Sequence, residues 1–151
     1  MYSLVLLLHS WIRWIALVAG VGATLAAVRN EVAGEKSLAD RWGLVLVTTL
    51  DLQLLLGLTL YFALSPFTAD AMRDFGAAMK NSQLRFWAVE HLTAMMIAVV
   101  LVHVGRVLGR KAATPAAKRT RLLVCYGLAT VLMMAAIPWP GLANGRPLFR
   151  V

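Results

Sequence analysis

Four long apolar segments dominate this sequence and restrict the folds that it can adopt. The segments occupy residues 3–28, 42–64, 86–109 and 121–139, and each approaches the roughly 20 apolar residues that a helix needs to cross a bilayer. Hydrophobic residues make up 60% of the chain, whereas a soluble domain is usually about half apolar. The sequence therefore predicts an all-α integral membrane protein, built as an up-down bundle of four transmembrane helices.

The connections between these segments are short. They leave no room for a separate soluble module, so we expect a single transmembrane domain over residues 1–151. The longest connection joins the second and third segments, and its apolar residues recur at roughly helical spacing: Phe67, Met72, Phe75, Ala78 and Met79. This spacing predicts a short amphipathic helix over about 68–80, lying on the membrane surface.

The net charge of +8 comes from basic residues that flank the apolar segments. This placement indicates contact with lipid headgroups of the bilayer, and we expect no nucleic-acid partner.

The distribution of basic residues predicts the orientation in the membrane. Nine Lys and Arg residues lie in the first and third connections, against five in the second connection and the C-terminal tail. Because Lys-rich and Arg-rich loops stay on the cytoplasmic side, both termini are predicted to lie outside the cytoplasm.

Ionisable residues inside the predicted helices are the strongest functional signal. A charge there costs about 2.5–3.5 kcal/mol on the insertion scale, so such residues usually face the bundle interior and find partners. Asp51 is the first candidate partner for Arg13, and Glu90 is the second. A buried pair of this kind can also serve only to fix helix register.

His9 and His91 lie at matching depth on the first and third helices. Each is about six residues from its helix start, which is roughly 8–9 Å below the outer boundary. In an up-down bundle these helices are diagonal neighbours, so the two imidazoles can ligate a haem iron from opposite sides, as in b-type cytochromes. His103 matches no other histidine in depth, and a second haem is not expected.

Residues around the two histidines complete the predicted haem b site. Glu90 can accept a hydrogen bond from a ligand imidazole. The haem propionates are expected to turn toward the nearer aqueous face, where Ser10, Arg85 and Trp87 lie.

Other functions remain open from the sequence alone. Each histidine can instead be an ordinary hydrogen-bonded interior residue. His9 and His91, with Glu90 and Asp51, also form a nitrogen and oxygen donor set suited to non-haem copper, zinc or iron. A structural or accessory membrane subunit and a proton or ion path are further alternatives. Soluble-type catalytic patterns are missing from the sequence, so a quinone-linked redox cytochrome is the enzyme class that we consider.

Four short stretches carry a resemblance to a known family: "HSWIRW", "LQLLLGLTLYF", "RFWAVEH" and "IPWP". Together they resemble a family of small bacterial four-helix membrane proteins that are commonly labelled cytochrome-b-like. The resemblance implies a multi-pass protein of the bacterial inner (cytoplasmic) membrane that holds b-type haem, with His9 and His91 in the family-like motifs. Electron transfer to or from quinone or a redox partner protein is the expected function.

A stripe of small residues on the first helix suggests self-association. Ala16, Gly20 and Thr24 share one face, and small residues allow helices to approach closely in lipid. The same stripe is expected to face the bundle interior. We also expect a homodimer, with this stripe as its natural contact surface unless it is used up within the monomer.

Overall fold

The computed structural model describes residues 1–34 and 36–149. All regular structure in this part of the chain is helical: α1 (Tyr2–Val28), α2 (Leu38–Thr59), α3 (Pro66–Arg73), α4 (Phe75–Lys80), α5 (Ser82–Arg85), α6 (His91–Arg110) and α7 (Pro115–Ala136). One π-helical turn, Leu60–Leu64, continues α2, and a second, Phe86–Glu90, joins α5 to α6. The predicted all-α fold class is therefore confirmed.

Four helical stretches are long and apolar enough to cross a membrane. They are Tyr2–Val28, Leu38–Leu64, Ser82–Arg110 and Pro115–Ala136, with mean hydropathies between 1.3 and 2.0. These stretches overlap the four apolar segments of the sequence. The prediction of a multi-pass membrane protein is confirmed at this level.

Two of the helices begin earlier than the apolar pattern predicts, because side-chain caps fix their first turns. The Thr114 hydroxyl accepts a hydrogen bond from the Ala117 N–H at 3.1 Å, and Pro115 occupies the first turn of α7. Ser37 caps α2 in the same way, accepting from the Asp40 N–H at 3.2 Å. α7 ends at Ala136, since Ile137 precedes a proline and adopts an extended conformation.

The segment predicted as one surface helix over about 68–80 forms two helices, α3 and α4. The break falls at Asp74, whose side-chain oxygen caps α4 by accepting from the Ala77 N–H at 2.9 Å. Ala71 and Ala78 are buried and pack with Ala88 of the following π-helical turn. The pair of short helices thus lies against the first turns of the third span.

The four spanning helices enclose a common interior. α1 packs against α2 and α7, and α6 packs against the same two helices, which leaves α1 and α6 at opposite corners. A Cβ atom on Gly20 would lie 2.7 Å from the Thr130 hydroxyl oxygen of α7, so the glycine is what allows this close approach. Because the stripe of Ala16, Gly20 and Thr24 lies along this contact with α7, the homodimer stays a prediction that requires a different surface.

The C-terminal tail folds back against α1. The Leu148 carbonyl accepts hydrogen bonds from Arg13 Nη2 at 2.8 Å and from Trp14 Nε1 at 3.1 Å. The Phe149 ring stacks on Trp14, with centroids 5.6 Å apart. A turn at Gly141, with φ of 91°, lets the tail reverse direction. The tail therefore contacts the helical turns of α1 that follow His9.

Candidate cofactor site

A cavity of about 150 Å³ lies between the four spanning helices. Residues of α1, α2, α6 and α7, of α3 and of the tail contribute to its lining. Its walls are mainly apolar and include Leu6, Leu17, Leu50, Leu54, Leu58, Leu92, Met95, Val99 and Met133. A few polar side chains in apolar walls are typical of ligand sites.

His9 and His91 face each other in this cavity. Their ring centroids are 6.4 Å apart and the ring planes are inclined by 66°. A metal ion bound between one nitrogen of each ring, at about 2.0–2.1 Å per bond, would place the centroids about 6.3 Å apart. The observed spacing is therefore suited to one metal ion held between two imidazoles.

The His91 ring is fixed by a backbone carbonyl. Its Nδ1 lies 2.9 Å from the carbonyl oxygen of Ala136, the last residue of α7. Because a carbonyl can only accept, Nδ1 is the donor, and Nε2 keeps its lone pair. Metal-binding histidines usually donate their other ring N–H to a carbonyl or carboxylate in this way.

His9 is held through its backbone and leaves a ring nitrogen unused. The His9 carbonyl accepts a hydrogen bond from Gln53 Nε2 at 2.8 Å. His9 Nδ1 is buried and has no hydrogen-bond partner among the described residues. Gly57 lies against the ring, since a Cβ atom there would be 3.3 Å from His9 Cε1. An unsatisfied buried nitrogen costs about 1–3 kcal/mol, so a bound ligand that contacts this ring would relieve the cost.

Glu90 and Arg85 lie outside the cavity, contrary to the sequence prediction. Glu90 is exposed, and its Oε1 accepts from Arg85 Nε at 2.6 Å. Arg85 also donates to the Met79 carbonyl at 3.1 Å. The reason is geometric, because neighbouring helical residues project about 100° apart, and His91 takes the inward direction.

The predicted ion pair between Arg13 and Asp51 is not formed. Asp51 lies 3.3 Å from His103 Nε2, and both side chains are about half-exposed. Arg13 lines the cavity, donates to the tail at Leu148 and stacks on the Trp14 ring at 4.9 Å. Asp51 follows the buried Leu50 by one residue and so points away from the interior face of α2.

Ser10 and Trp87, which were predicted near the cofactor, both line the cavity. The Trp87 ring centroid lies 5.7 Å from that of His91. Sequence reasoning missed Gln53, Gly57 and Arg146, which also line it. The only sequence signal for Gln53 and Gly57 is their spacing of four residues, which puts them on one face of α2.

The donor set around the histidines is small. The part of the chain that the structure describes holds no group of three or more His, Cys, Asp or Glu side chains that could bind a metal ion. Zinc sites usually need three or four protein ligands. Two imidazoles alone suit an iron whose other ligands come from a macrocycle. Glu90 and Asp51, the two oxygen donors of the predicted non-haem site, do not line the cavity.

These features define an all-helical protein with four candidate membrane spans and a histidine-lined cavity between them. No protein-family model, curated protein or solved structure matches the chain. The resemblance of its motifs to the cytochrome-b-like family therefore stays a prediction, and the function has to be argued from the site.

Proposed function

We propose that this chain is a membrane haem b protein that takes part in electron transfer, with His9 and His91 as the two axial ligands. The observation that carries the proposal is the pair of facing imidazoles, 6.4 Å apart in the cavity. The contact between His91 Nδ1 and the Ala136 carbonyl supports it further, because it leaves the Nε2 lone pair available for metal binding.

The cavity residues fit the chemistry of a haem group, although the cavity volume requires them to move. Ligand pockets usually measure roughly 300–1,000 Å³, more than the 150 Å³ found here. Met95 and Met133 line the cavity, and methionine side chains adapt their shape readily. When bound, haem would accept and donate one electron. The protein's part is to hold the imidazoles and to keep water away with apolar walls.

With haem bound, His9 and His91 would both hold its iron, and such a site would suit electron transfer more than catalysis on a small substrate. Large apolar side chains are exposed on the outer faces of the spanning helices, and lipid would contact them in a bilayer. We therefore propose that a lipid-soluble quinone or a redox partner protein exchanges electrons with it, in the bacterial inner membrane.

The proposal includes an up-down arrangement of the helices with both termini outside the cytoplasm. The loop between α6 and α7 then faces the cytoplasm, and the connection that contains α3 and α4 faces outward, in agreement with the distribution of Lys and Arg.

In intact cells, a membrane-impermeant maleimide should label Ala77→Cys and leave Ala113→Cys unlabelled until the cells are opened. Both positions are exposed in the structure. Labelling of Ala113→Cys alone in intact cells would reverse the orientation.

The haem assignment is tested by the absorption spectrum of the protein, expressed with ample haem and purified in detergent. We expect a Soret band and, on reduction, the sharp visible bands of a six-coordinate b-type haem. A protein that is folded yet shows no Soret band would remove the proposal.

A further inference from the structure

Two buried N–H donors in the cavity find no acceptor among residues 1–34 and 36–149. Arg146 Nη2 and Trp87 Nε1 are both buried and have no hydrogen-bond partner among the described residues. Both residues line the same cavity as His9 and His91. Because a buried donor without an acceptor is costly, more so when it is charged, two of them in one cavity indicate a missing acceptor.

The surrounding structure positions these donors. The Arg146 guanidinium lies over the Phe67 ring, 4.6 Å from its centroid, and 5.5 Å from that of Trp87. A tight turn of the tail fixes the Arg146 backbone, whose N–H donates to the Pro138 carbonyl at 3.0 Å. Stacking on aromatic rings leaves the edge of a guanidinium free for hydrogen bonding in its own plane.

No carboxylate of the described chain forms an ion pair with Arg146. The Arg146 guanidinium lies beside the Phe67 and Trp87 rings, and the polar residues Ser65 and Thr68 also line the cavity. The Thr68 hydroxyl donates to the Tyr61 carbonyl at 2.7 Å and accepts no hydrogen bond from Arg146 Nη2. A planar anion with two oxygens matches the fork of donors that an arginine presents.

We propose that Arg146 and Trp87 form a subsite that binds a carboxylate of the molecule held in the cavity. This inference rests on the proposed function, in which the carboxylate is a propionate of haem b. A carboxylate on an apolar skeleton can also come from a membrane fatty acid, and the experiment separates the two sources. The subsite places the acidic edge of the ligand toward the tail and leaves its apolar remainder among the leucines.

The test compares haem b with its dimethyl ester, in which both propionates are uncharged. Each is titrated into the haem-free protein in detergent, and the Soret absorbance gives the dissociation constant. The wild-type protein should bind the free acid roughly tenfold or more tightly than the ester, the equivalent of one charge-assisted hydrogen bond. In Arg146→Gln, the ratio of the ester's dissociation constant to that of the free acid should fall close to one. In Trp87→Phe, the same ratio should fall in part. Arg73→Gln is the matched control, since Arg73 is exposed and pairs with Asp70.

The outcomes are distinguishable from failure of the haem assignment. Equal affinity of the wild-type protein for acid and ester would overturn the subsite and leave haem binding intact, whether or not Arg146→Gln folds. If neither porphyrin binds, the proposed function fails, and oleate is titrated instead with tryptophan fluorescence as the signal. Oleate binding that is lost in Arg146→Gln and kept in Arg73→Gln would support the subsite for a fatty acid. Absence of oleate binding, or binding unaffected by Arg146→Gln, would overturn it.

Discussion

Replacing either His9 or His91 with alanine should remove haem from the purified protein or lower its occupancy at least about tenfold. Each substitution takes away one of the two proposed haem ligands, and the described part of the chain offers no third His, Cys, Asp or Glu beside the pair to replace it. The measurement is the ratio of Soret to protein absorbance after expression with ample haem. Haem that remains should be five-coordinate, and its reduced form should bind carbon monoxide.

His103→Ala is the matched control for these variants. His103 also lies in α6, but its ring contacts Asp51 at 3.3 Å and the Val99 carbonyl at 3.1 Å, and it does not line the cavity. Its removal should leave haem content and spectrum unchanged. Wild-type occupancy in both His9→Ala and His91→Ala would contradict the assignment of the axial ligands.

Gly57→Leu should block cofactor uptake without unfolding the helix that carries it. A Cβ atom at this position already comes to 3.3 Å from His9 Cε1, so a leucine side chain would occupy the space around the ring. Leucine is favoured over glycine inside a helix by roughly 0.5–1 kcal/mol, so the backbone itself should not be weakened. We expect haem content to fall at least about tenfold, with helix content by circular dichroism retained.

Leu55→Phe provides the comparison for this substitution. Leu55 lies on the same helix and is 65% exposed, so added bulk there meets no neighbouring ring. It should take up haem like the wild-type protein. Normal haem uptake by Gly57→Leu would show that the ligand does not approach His9 from this side.

The spanning helices could be predicted because bilayer insertion depends on the summed apolar character of about 20 residues, which the sequence displays directly. The ends of these helices were harder to predict from the sequence. The first turns of α2 and α7 mix apolar and charged residues and are fixed by the Ser37 and Thr114 hydroxyls, so no continuous apolar run marks them. Capping residues have to be considered separately from hydropathy.

Within the site, matching depth identified His9 and His91, and their ring centroids lie 6.4 Å apart with the planes inclined by 66°. Depth alone could not assign Glu90 or Asp51, because it carries no information about direction around the helix. Glu90 is next to His91, and Asp51 is next to the buried Leu50, so each points away from the cavity. Angular position would have excluded both of them from the donor set.

The structure of the C-terminal tail could not be predicted from the sequence. Its contacts join residues far apart in the chain, such as Arg13 and Leu148, and no periodic pattern connects them. Arg146 enters the cavity only because the turn around Gly141 brings the tail back to the bundle. Contacts of this kind depend on tertiary packing and leave no local signal.

The most direct test of the proposed site is the reduced-minus-oxidised spectrum of the wild-type protein, recorded before and after addition of carbon monoxide. Two imidazole ligands leave no open position on the iron, so the bands of a six-coordinate b-type haem should appear and carbon monoxide should not alter them. A folded protein without these bands, or haem that binds carbon monoxide fully, would contradict ligation by both His9 and His91.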